Sequence, residues 1–139
     1  MMSVTLEGTK SLEKQLDAMT RAGQRGTVRR AARAGARAVG MEARRRAPRS
    51  VRPRHPKGHA YKTIRWGEVE SWPDKAEFWV GPTDWGWYLA LHETGTSKFA
   101  AQPFLRPALE SQRVQITDEM GVVFKDAIIK AAMRARGKK

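Results

Sequence analysis

The sequence predicts an α+β domain in which a small antiparallel sheet is packed by two N-terminal helices and a long C-terminal helix. Three observations predict it. Apolar residues recur at helical spacing through the first third of the chain and again after Pro107, while residues 61–80 alternate between apolar and polar across a Pro73-Asp74 turn signal. The length of 139 residues suits a single domain, 1–139, with one modest core.

Ser3 to Leu6 reads as an edge strand closed by Glu7-Gly8. Leu12, Leu16 and Met19 then share one face of a first helix, with Thr9 or Ser11 as its cap and Gly23 and Gly26 ending it near Ala22. A second helix is expected from a cap at Thr27 to Ala47, where Pro48 disfavours helical backbone in the residue before it. Val28, Ala32, Gly35, Val39, Ala43 and the stem of Arg46 line one narrow face of it. So small a face predicts close approach to the sheet or to another helix.

Pro48, Pro53, Pro56 and Gly58, interleaved with Arg49, Arg52, Arg54 and Lys57, predict an exposed basic loop over residues 48–60. Tyr61 to Val69 alternates, with Ile64, Trp66 and Glu68 on one side, and Glu77 to Val80 returns as the second strand of a hairpin. Ile64 and Trp66 then face the same core as Phe78 and Val80. From Pro107 a helix carries Leu109, Val114 and Ile116, and a further apolar series runs from Met120 through Val123, Phe124 and Ala127 to Ala131. Whether it breaks at Thr117-Asp118 is open at this level. Arg134, Arg136, Lys138 and Lys139 give it a basic end that suits the helix dipole.

Charge is concentrated. Residues 21–65 hold 15 of the 27 Lys and Arg but one of the 14 acids, Glu42. At ~100° per residue, Arg29, Arg30, Arg33, Arg37 and Arg44 gather within an arc of roughly 100° that contains no acid. Such an arc suits a polyanionic or acidic partner.

Catalytic chemistry is thinly represented. Cysteine is absent, which excludes a disulfide framework, a zinc-thiolate site and a thiol nucleophile. His55 and His59 lack a third ligand and read as solvated, not as a metal site. His92-Glu93 has no nucleophile beside it, so Glu93 is expected to fix the loop, by accepting from the Gly95 and Thr96 amides or by pairing with Arg106. Neither Gly81-Pro82 nor Gly95 has the spacing of a phosphate loop. No catalytic, metal or cofactor residue is assigned, and no enzyme activity is expected. No apolar run approaches the ~20 residues of a membrane span, and MMSVTLEGTK lacks a signal-peptide pattern, so synthesis in a cytoplasm is expected.

The most specific stretch is Tyr88-Leu89-Ala90-Leu91-His92-Glu93-Thr94-Gly95-Thr96-Ser97-Lys98, followed by Ala101-Gln102-Pro103-Phe104-Leu105-Arg106-Pro107-Ala108. It resembles the signature of the tail-component family of long-tailed bacteriophages and prophages, the tail completion or head-tail joining proteins. Its sharp part spans about two dozen residues, in which Trp87, Tyr88, Glu93, Gly95, Thr96, Pro103, Phe104, Leu105, Arg106 and Pro107 are structural positions. The chain departs from the family pattern after Ala47-Pro48, where a longer basic loop replaces a short link. The resemblance implies a virion protein of the neck or tail, made in the host cytoplasm. It implies a sixfold homomeric ring between a head connector or stopper protein and a tail terminator or tail tube protein, with genomic DNA in the lumen and no membrane or cofactor. The alternative reading is a stand-alone basic nucleic-acid-binding protein, with Tyr61, Trp66 or Trp79 stacking on bases.

Overall fold

The computed structural model describes residues 2–7, 21–49, 55–72 and 74–137. Strand β1 (Met2–Glu7) precedes helix α1 (Arg21–Arg46). A 3-10 turn (Ala60–Thr63) leads into β2 (Ile64–Ser71) and β3 (Lys75–Pro82), and a second (Asp84–Gly86) into α2 (Leu89–Thr94) and α3 (Leu105–Arg136). The class is the expected α+β arrangement. β3 is the central strand, antiparallel to β1 on one side and to β2 on the other, so the N-terminal segment is an edge strand as anticipated.

Alternation along the hairpin turns Ile64, Trp66 and Glu68 toward α1 together with Ala76, Phe78 and Val80; of these Ile64, Ala76, Phe78 and Val80 are fully buried. A bulge between Glu68 and Glu70 then shifts the register. One extra residue in β2 leaves Val69 exposed and returns Ser71, opposite Ala76, to the α1 side. The expected strand start at Tyr61 is corrected: residues 60–63 form the 3-10 turn, because the Thr63 hydroxyl donates to the Ala60 carbonyl at 2.7 Å. The Thr63 carbonyl in turn accepts from both the backbone N–H and the hydroxyl of Thr83, at 3.1 and 2.8 Å.

The expected break at Gly23 and Gly26 is also corrected, since α1 runs unbroken from Arg21. Thr27 caps nothing; its hydroxyl donates to the Gly23 carbonyl inside the helix. Packing overrides the helix cost of glycine, about 1 kcal/mol each, because α1 is the middle layer of the domain. One side lies on β2 and β3, the other carries α3. Any Cβ at Gly40 would enter the Trp66 ring, and one at Gly35 would collide with Met120 and Ile116. Gly35, on the narrow face of small residues, thus meets α3, and Gly40, roughly 100° around the helix from the centre of that face, meets β2. The first helix expected over residues 9–22 falls, apart from its last two residues, outside the described residues.

α3 begins at Leu105, two residues ahead of the expected start, with Pro107 in the first turn where a missing N–H breaks no helical bond. It is continuous through Thr117 and Asp118, the Thr117 hydroxyl donating back to the Arg113 carbonyl at 3.0 Å. The long C-terminal helix completes the packing over the sheet chiefly by seating on α1. Leu105, Ala108, Ile116, Met120, Phe124 and Ala127 are its buried apolar residues, and Phe104 just ahead of it joins the same core as Val28, Val39, Phe78 and Leu89.

Candidate interaction surface

The arginine arc divides into two parts. Arg29 Nε donates to Glu68 Oε2 at 2.5 Å, Arg33 stands 4.0 Å from the same oxygen, and Arg25 Nε reaches the Ser71 hydroxyl at 3.2 Å. Ser71, then Arg29 and Arg33, hold the Glu68 carboxyl below its ordinary value. Arg44 donates to the Ile64 carbonyl at 2.8 Å while its guanidinium lies over the Trp66 ring, 5.1 Å from the centroid. Arg29, Arg33 and Arg44 thus fasten α1 to β2, so the arc expected to meet a polyanionic or acidic partner is in part engaged within the subunit. An acid absent from the helix is supplied by the neighbouring strand. Arg30 and Arg37 remain exposed and, among the described residues, without an ion pair.

Around the helix from this arc, Glu42 is buried and accepts from Arg45 at 2.8 and 2.5 Å and from Arg46 at 2.7 Å. Those bonds, Arg45 first, lower its pKa from 4.5 to about 2 against the opposing effect of burial. Beside this cluster α1 and α3 leave a cleft of about 530 Å³, where Ala34, Arg37, Ala38, Met41 and Arg45 face Gln112, Gln115 and Glu119. Met41 is 55% exposed there. The sequence signal for Glu42 was its spacing of three and four residues from Arg45 and Arg46.

The signature stretch builds a braced elbow. Gly95 ends α2 at φ +74°, and a Cβ there would press on the Ala101 amide nitrogen, so glycine fits the position where other residues are strained. The chain doubles back through Thr96 N–H to Phe99 carbonyl at 3.0 Å and Gln102 N–H to His92 carbonyl at 2.7 Å. That return brings the start of α3 onto Glu93. Its carboxylate accepts from the amides of Phe104 at 2.7 Å, Leu105 at 2.9 Å and Arg106 at 3.0 Å. The first turn of α3 has no acid and no side-chain cap of its own, so Glu93 neutralises three orphan donors and the positive end of the helix dipole. Glu93 fixes this region, but through these amides and not those of Gly95 and Thr96; Arg106 takes part by its backbone. Phe104 is 1% exposed and Pro107 half-buried, whereas Trp87 is 65% exposed and Pro103 lies on the surface.

The histidines pack against aromatic rings. His55 stacks on Trp85 at 4.6 Å, so it is not the solvated residue expected, and His92 tilts against Phe99 at 5.1 Å. His59 and His92 line a cavity of about 200 Å³ with Arg49 and Tyr88, and the Nδ1 of each is buried without a partner among the described residues. Of the basic loop, Arg49 lies over Tyr61 at 4.7 Å and Lys57 is exposed in a tight turn between His55 and Gly58; Arg52 and Arg54 lie outside the described residues. Among the described residues no group of three His, Asp or Glu is placed to hold a metal ion, and no helix is long and apolar enough to cross a membrane. No family model, curated protein or solved structure matches the chain.

Proposed function

We propose that this protein is a structural component of a phage neck or tail, a subunit of a closed ring that completes the tail and joins it to the head connector. The observation that carries the reading is the split in the arginine arc. Three of its arginines are spent on internal fastening, which makes α1 stiff, and Arg30 and Arg37 project from that stiff helix. A rigid helix with projecting guanidiniums is suited to an acidic rim, because little conformational entropy is lost when the contact forms. The glutamate-capped elbow supplies the same stiffness to the signature stretch.

The nucleic-acid reading has weaker support. Trp66 lies beneath Arg44 and against α1, Tyr61 is covered by Arg49 and by His59, and Trp79 lies over Gly67. Trp66 and Tyr61 are thus engaged in packing and leave little open ring face for stacking. The test is the double substitution Arg30→Glu and Arg37→Glu in a phage that encodes the protein. The protein should fold with unchanged thermal stability while heads and tails accumulate unjoined; a normal yield of infectious particles contradicts the proposal.

A further inference from the structure

α1 and α3 carry matching patterns of opposite sign. On α1, Arg37, Met41 and Arg45 stand at intervals of four residues, and on α3 so do Asp118, Val122 and Asp126. All six are exposed, Met41 at 55% and Val122 at 68%. At 1.5 Å per residue each triplet is ~12 Å long, with its apolar member at the centre, so the two register in either direction. Ile129 and Met133 extend the α3 stripe beyond Val122 as further exposed apolar residues, 45% and 67%, on a helix face that nothing among the described residues covers. The α1 triplet borders the α1–α3 cleft, whose floor of Ala34 and Ala38 admits a close neighbour.

The two patches do not point the same way. Ile116 and Met120 turn toward Gly35 of α1, and Val122 and Ile129 lie roughly 120° to 180° around α3 from them, while Met41 is about 120° around α1 from Gly35. Two complementary patches facing different directions give a head-to-tail contact, the kind that closes into rings. We propose that the Arg37-Met41-Arg45 patch of one copy receives the Asp118-Val122-Asp126 stripe of the next copy. This rests on the ring reading and names its subunit contact. Arg45 and Asp126 already have partners, Glu42 and Lys130. The Lys130–Asp126 pair is solvent-exposed and contributes little, so it yields readily, and the Arg45 guanidinium keeps donors to spare.

The chain has no cysteine, which permits a clean test. Met41→Cys and Val122→Cys are made singly, mixed under mild oxidation and run on a denaturing gel beside each alone; both positions are exposed, so thermal stability serves as the folding control. The proposal expects a covalent dimer only in the mixture, and a ladder of higher oligomers when one chain carries both substitutions. Dimers from Val122→Cys alone would mean that α3 pairs with α3 and would overturn it. Rings seen by electron microscopy without any cross-link would overturn this contact and leave the ring reading intact. A monomer by sedimentation at every concentration, with no cross-link, would overturn both.

Discussion

Two glutamates carry more of this structure than their number suggests. Glu93 caps a 32-residue helix from the preceding element, through three amides at 2.7 to 3.0 Å. Glu93→Ala leaves those donors without it and should lower stability by about 2 kcal/mol, in the range of lost caps and charged hydrogen bonds. Chemical denaturation checks this, and a loss under ~0.5 kcal/mol would mean water replaces the carboxylate at no cost. Glu42 gives a pH signature. Its pKa in the folded state, about 2, lies below the ordinary 4.5, so its contribution is full above about pH 4.5 and is lost as pH falls toward 2. Acid unfolding of Glu42→Gln should show less of that loss than the parent chain between those limits; superimposable pH slopes would contradict the assignment. Residue types foretold that Glu93 would fix its loop, but not its partners. Those depend on the turn at Gly95 carrying the chain back by ten residues, a non-local fact that no local spacing records.

Among the elements, α1 explains most of what was legible and what was not. Its small-residue face announced close packing, and the alternation of Ile64 and Trp66 against Phe78 and Val80 announced the sheet face that receives it. Its true start was hidden because Gly23 and Gly26 read as breakers, and only the layers on either side make a helix through them favourable. The bulge at Val69 was hidden likewise: it serves to return Ser71 to Arg25, a contact between residues 46 apart in the chain. Gly40→Ala tests the middle layer. Its Cβ would enter a Trp66 ring already held beneath Arg44, so α1 and β2 must separate, at a cost of about 1 to 3 kcal/mol by the usual scale of overpacking. Thermal unfolding measures it, and an unchanged or raised melting temperature would show that the helix does not lie this close to the sheet.

For the whole molecule, the charge excess over residues 21–65 resolves into guanidiniums that tie helix to strand and guanidiniums that face outward. Composition showed the excess and could not show the division, because Glu68, which takes up two of the arginines, lies on β2 some 40 residues along the chain. The outward set on a stiff three-layer body is what the proposed ring uses, with the Asp118-Val122-Asp126 stripe of α3 as its counterpart on the next subunit. Imaging the purified protein by negative-stain electron microscopy at rising concentration and low salt examines that claim most directly. Closed rings of uniform size with an open centre are the expected result, and isolated single subunits at every concentration would contradict it.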